Sequence, residues 1–197
     1  QFVLGETITG AMKRAKSHED NGYTYSYDML GEAARTDADA TRYHLAYSRA
    51  ITAISDACIH DDIRANPGIS VKLSALHPRY EIAKRGRVMT ELVPRLRSLA
   101  LLAKSAGMGL NIDAEEADRL AISMEIIDAV LSEPALAGWD GFGVVVQAYG
   151  KRASAVIDQL YQLAQTYDRK IMVRLVKGAY WDTEIKRSHV EGMSDFP

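Results

Sequence analysis

The chain has 197 residues, 47% hydrophobic and 25% charged, an ordinary globular composition that excludes a disordered or low-complexity segment. Its 24 basic and 26 acidic residues leave a net charge of -2, so it has no basic field with which to hold a phosphate backbone, and no nucleic-acid contact is expected from it. No apolar run nears the ~20 residues that span a bilayer, no signal peptide is visible, and the single Cys58 excludes an internal disulfide or a thiolate metal cage, so a soluble cytoplasmic protein is expected.

Gln1 at one end and Pro197 at the other read as cuts in something longer. From there the chain shows a βα rhythm. Five short apolar runs read as strands: Tyr25 to Leu30, Ile69 to Leu73, Leu110 to Asp113, Phe142 to Ala148 and Ile171 to Val176. Between them apolar residues recur at helical spacing, first Tyr43, Tyr47, Ile51, Ile54 and Cys58, then Leu92, Leu96, Leu99 and Ala103. Leu120, Met124, Ile127 and Leu131 form the third stripe, and Val156, Leu160, Leu163 and Tyr167 the fourth.

Breakers fall between these elements: Asn66-Pro67-Gly68, Gly107 with Gly109, Gly138 to Gly143, and Asp168. Pro94 is compatible with a helix if Thr90 is the N-cap, which places the proline in the first turn where a missing N–H is tolerated. Val144-Val145-Val146 and the Ile171 to Val176 run do not alternate with polar residues, which predicts strands covered on both faces of a parallel sheet. No G-x-G-x-x-G follows the first run, where Tyr27-Asp28-Met29-Leu30-Gly31 stands. That favours a (βα)8 barrel over a doubly wound open sheet.

Polar residues collect at the carboxyl ends of these runs, the rim where parallel βα folds bind ligands. Lys72 follows Val71, Asp113 follows Ile112, Gln147 follows Val146, Arg174 follows Val173, and Asp28 and Glu32 bracket the end of the first run. Lys72 and Arg174 have a plain structural alternative as salt bridges to Asp113 or Asp28. No Ser-His-Asp or Cys-His arrangement and no metal site is expected, since His60-Asp61-Asp62 and His77-Pro78 offer only fragments of one. A cationic rim with one carboxylate and one amide suits an anionic substrate beside an electron-accepting cofactor. A Schiff-base aldolase or lyase using Lys72 or Lys177, and a non-catalytic barrel fragment, are the competing readings.

Four segments resemble, in order and spacing, the proline dehydrogenase domain of the bifunctional bacterial proline-utilisation flavoproteins: VKLSALHPRYE (71–81), NIDAEE (111–116), VVVQAYGKR (144–152) and RLVKGAYWDTEIK (174–186). The resemblance implies a distorted (βα)8 TIM-type barrel, with residues 1–22 as a helix leading into it and 23–197 supplying about its first five βα units. It implies FAD as cofactor, L-proline and carboxylate-bearing analogues as ligands, and a membrane quinone as electron acceptor. The product implied is Δ1-pyrroline-5-carboxylate. The parent is expected to be a homo-oligomer, peripherally associated with the inner face of the cytoplasmic membrane, that binds DNA through a separate domain.

By position, Arg174 resembles the arginine near flavin N5, Gln147 the amide at the pyrimidine side, and Lys72 the lysine that binds the proline carboxylate. Asp113 and Ala114 match residues against the flavin, and Val145, Lys177, Gly178, Ala179, Tyr180 and Trp181 match the segment wrapping the cofactor. Asp28 is placed at the substrate entrance, and Glu32 resembles a gate residue. The family's substrate-clamping paired arginines and the tyrosine that packs on the proline ring have no counterpart in these 197 residues.

Overall fold

A computed structural model describes residues 3–29 and 33–197. In chain order the elements are α1 (Ile8–Glu19), β1 (Ser26–Asp28), α2 (Asp37–Ser55), β2 (Gly68–Val71), α3 (Leu73–Leu76), α4 (Arg85–Ser105), β3 (Gly109–Ile112), α5 (Leu120–Leu131), β4 (Phe142–Gln147), α6 (Ala153–Thr166), β5 (Met172–Val176) and α7 (Trp181–Glu191). The five strands form one parallel sheet in the order β1-β2-β3-β4-β5. A doubly wound sheet reverses its strand order at a switch point. Here the order never reverses, and each strand pairs with its successor after a helical crossover, which is the winding of a TIM-type barrel, unclosed over these strands.

Strand periodicity divides the sheet into two unlike faces. Tyr27, Ile69, Val71, Leu110, Ile112, Phe142, Val144 and Val146 are buried on one. Together with the apolar stripes of α2, α4 and α5 they make the core. Each fully buried Leu or Ile there contributes roughly 1.5–3 kcal/mol over leaving it exposed. The register shows what shares the other face: Asp28 is opposite Ser70, Ser70 opposite Asn111, Asn111 opposite Gly143, and Val145 opposite Arg174. This face is polar and small, and by the winding it is the inside of the barrel.

The helices begin and end for local reasons. Thr36 caps α2 in a capping box, its Oγ1 accepting from Asp39 N–H while the Asp39 carboxylate accepts from Thr36 N–H. After α4, Gly107 turns at φ 64° to feed β3, and after α6 Asp168 does so at φ 50°. Among the described residues no helix is long and apolar enough to cross a membrane.

Two sequence expectations need correcting. Pro94 lies in the interior of α4, which starts at Arg85, and Thr90 is not its cap. The Thr90 hydroxyl instead donates to the Gly86 carbonyl, and because Thr90 and Pro94 are both on the exposed side, the carbonyl that Pro94 leaves without a partner can be solvated. Likewise β5 is not covered on both faces: Val173 is 42% and Leu175 60% exposed. It is the last strand of the sheet, and α6 packs mainly against β4. β4, between two neighbours, is buried as predicted.

Candidate active site

The polar residues of the inner face form one connected system at the carboxyl ends of the strands. Lys72 Nζ donates to Asp113 Oδ2 at 2.8 Å and to Asp28 Oδ1 and Oδ2 at 3.2 and 3.1 Å. Arg174 Nη2 donates to the other oxygen of Asp113, Oδ1, at 2.7 Å and to Ser70 Oγ at 3.1 Å. Ser70 Oγ lies 3.2 Å from Ser26 Oγ. The system therefore joins β1, β2, β5 and the residue after β3, with Asp113 as the shared anion between two cations.

Exposure decides which pair matters. The Lys72 and Asp113 side chains are 12% and 11% exposed, against 44% for Asp28 and 40% for Arg174. Water screens the Asp28 contact, so it is worth little, whereas the Lys72–Asp113 pair is nearly covered, so losing either partner removes the shortest charge contact of a largely desolvated group. The backbone N–H of Lys72 donates at 3.3 Å to the hydroxyl of Tyr47 on α2, and burial pushes the pKa of that phenol up.

Gln147 is held from two sides. Its Nε2 donates to the Glu115 carbonyl and its Oε1 accepts from the Tyr149 hydroxyl, both at 2.8 Å. These partners distinguish the nitrogen end of the amide from the oxygen end, and each end keeps one further hydrogen-bonding position. The Glu115 carboxylate is buried, accepts from Ser74 N–H at 3.0 Å and pairs with Arg119 at 3.3 Å. Loss of solvent raises its pKa above the ordinary 4.5. Glu115 thus ties the turn after Lys72 to the segment after Asp113. Glu184 of α7, also buried, accepts from Ala117 N–H at 2.8 Å and fastens α7 to that same segment.

The connection from β5 to α7 passes through Gly178 at φ 115°, and a Cβ there would overlap the Tyr149 ring. Only glycine combines that backbone conformation with that contact. Lys177, Ala179 and Trp181 are exposed along this connection, while Gly178 and Tyr180, the N-cap of α7, are half-buried.

Of the residues singled out from sequence, Lys72, Asp113, Arg174 and Asp28 come together in one network. Val145 lies beside Arg174 on the neighbouring strand. Gln147 and Ala114 stand at the same rim, and residues 177–181 form a separate connection outside the ion network. Glu32 lies outside the described residues. The two cations are not unpaired, so the structural alternative of ion pairing holds alongside their position at the rim.

Ser70, Tyr149, Glu115 and Glu184 were missed as individual site residues. The available signal was the period of two: Ser70 stands two residues before Lys72 and Tyr149 two after Gln147. A cavity between the sheet and α5 and α6, walled by Ile112, Val144, Leu120 and Val156, reaches Asp113 and Gln147 but neither Lys72 nor Arg174. It lies mainly on the apolar, helix-facing side of the sheet, not on the face that carries the cations.

The family model for proline dehydrogenase matches residues 11–197. The chain is 57% identical over 197 residues to the bifunctional protein PutA of Salmonella typhimurium, covering 100% of this chain and 15% of that protein. Proline dehydrogenase 1 of Bacillus subtilis is 28% identical over 182 residues, which is 91% of this chain and 52% of that one. A solved structure of Proline Utilization A from Bradyrhizobium japonicum superposes with a TM-score of 0.89 at 57% identity, over 100% of this chain and 20% of its own. The chain therefore spans about 15% of the length of the bifunctional relatives it matches.

Proposed function

Since the chain belongs to the proline dehydrogenase family, we propose that it builds one wall of a site that oxidises L-proline to Δ1-pyrroline-5-carboxylate, with FAD as cofactor and a membrane quinone as final electron acceptor. The observation that carries the reading is the state of Arg174. Its Nη2 is occupied by Ser70 and Asp113, while Nε and Nη1 are engaged by none of the described residues. A fixed guanidinium with spare donors, beside an oriented amide with one N–H and one lone pair to spare, fits the heteroatom edge of a flavin ring.

Asp113, Ala114, Val145, Gln147 and Arg174 would hold the cofactor, with the 177–181 connection wrapped around it. When bound, FAD would supply the two-electron acceptor for the hydride of the ring carbon next to the proline nitrogen, the nitrogen giving up a proton to solvent as the C=N bond forms. Arg174 keeps positive charge where electron density builds during that transfer. Lys72 presents its ammonium to the substrate carboxylate. Of Asp28 and Asp113, its acidic partners among the described residues, the more exposed Asp28 is the one that can yield to a ligand, and Asp113 stays to hold both cations in place. Asp28 and Glu32 would border the entrance. A Schiff-base role for Lys72 is disfavoured, because ion pairing on two sides suits a cation and not a neutral amine nucleophile.

The purified protein should take up FAD, and a carboxylate-bearing proline analogue should perturb the flavin spectrum. Lys72→Ala is expected to weaken the analogue at least about thirtyfold, the loss of a charge-assisted contact of ~2 kcal/mol, and FAD less than about threefold. Equal loss of both would make Lys72 structural, and a protein that takes up no FAD would remove the reading.

A further inference from the structure

We propose that Ser70 is a positioning residue that sets the orientation of the Arg174 guanidinium toward the cofactor; the proposal rests on the flavin reading of the site. Ser70 stands between Ile69 and Val71, whose side chains are buried in the helix-facing core, and its own side chain lies on the inner face at 1% exposure. Arg174 reaches it from β5, across β3 and β4.

The geometry follows from counting hydrogens. Arg174 Nη2 carries two, and it makes two contacts: Asp113 Oδ1 at 2.7 Å and Ser70 Oγ at 3.1 Å. Both are needed to fix a plane. With Asp113 alone, the guanidinium can swing about that single contact and carry Nε and Nη1 with it. Ser70 must act as acceptor toward Arg174, since arginine has no acceptor to offer. Ser26 Oγ lies 3.2 Å from Ser70 Oγ, and whichever of the two hydroxyls donates, this contact leaves a Ser70 lone pair for Arg174 and limits rotation of the hydroxyl. Asp113 holds the charge of Arg174, and Ser70 holds its direction.

Two linked measurements test this. In FAD-free protein, a double-mutant cycle on the unfolding midpoint with Ser70→Ala and Arg174→Ala should be non-additive, Ser70→Ala having little further effect once Arg174 is gone. In FAD-loaded protein, Ser70→Ala should shift the flavin midpoint potential to more negative values and lower kcat about tenfold, the worth of one hydrogen bond to a charged group, with KM for proline changed less than about twofold. Ser70→Thr, which keeps the hydroxyl, should restore both the potential and kcat.

Additive losses in the cycle overturn the proposal. So does an unchanged potential in Ser70→Ala, because a merely structural serine would alter stability and leave the flavin alone. A wild-type protein that takes up no FAD overturns the flavin reading instead, and the FAD-free cycle then decides by itself whether Ser70 anchors Arg174.

Discussion

Gly178→Ala should cost about 3 kcal/mol or more and lower FAD affinity by at least about a hundredfold. Two independent effects add at this position. A non-glycine residue at φ 115° carries roughly 1–3 kcal/mol of backbone strain. The new Cβ would also collide with the Tyr149 ring, and moving that ring breaks its hydrogen bond to Gln147, worth about 1 kcal/mol. The damage therefore reaches two proposed cofactor contacts at once, the 177–181 connection and the Gln147 amide, and losing about 1.4 kcal/mol of binding at each corresponds to about a hundredfold in affinity. Thermal unfolding and FAD titration measure the two quantities. Adding Tyr149→Ala to Gly178→Ala removes the collision but not the strain, so the double variant should regain part of the stability and little of the affinity. Wild-type melting and wild-type FAD binding in Gly178→Ala would contradict the account of this turn.

Asp113→Ala should be the most damaging change within the ion network. It leaves Lys72 and Arg174 as neighbouring cations without their shared counter-charge, and although Asp28 still faces Lys72, breaking this nearly covered pair costs about 3 kcal/mol. The half-exposed Arg174 is relieved by solvent, so most of that cost falls on the Lys72 side, where both partners are nearly covered. Asp28→Ala is the control. It removes a carboxylate from the same lysine, but from a screened position, and should cost less than about 1 kcal/mol. Proline-dependent turnover should fall with Asp113→Ala by over a hundredfold and with Asp28→Ala by far less. Equal losses from the two substitutions would show that Asp113 does not organise the site.

Much of this architecture was readable from the chain because buried parallel strands and apolar helical stripes leave strong periodic signals. All five strands lie within or close to the predicted runs, and α2, α4, α5 and α6 follow their stripes. α7 escaped because it has no such stripe: its buried residues are Glu184 and Ser188, and it is held by polar contacts to the segment after β3. The start of α4 was misjudged because Pro94 invites a helix start nearby, while Val88, one turn before Leu92, continues the buried face toward Arg85. The exposed side of β5 was hidden because composition reports what a strand can bury, and neighbours decide what it does bury.

The site divides in the same way. Lys72, Asp113 and Arg174 were legible because charge beside an apolar run is rare and calls for a partner. Ser70 and Tyr149 were not, since a serine within a strand and a tyrosine just after one are common. Their importance lies in which neighbour each one holds. Gly178 was noticed as part of a motif, but its necessity became visible only when the Tyr149 ring was found against it.

A flavin site at this rim would take electrons from proline. The decisive experiment is anaerobic addition of L-proline to purified, FAD-loaded protein in which these residues stand within a complete barrel, followed by absorbance. The oxidised flavin bands should bleach in proportion to proline turned over and return when an electron-accepting quinone is admitted. A protein that binds FAD and stays fully oxidised under excess proline would contradict it.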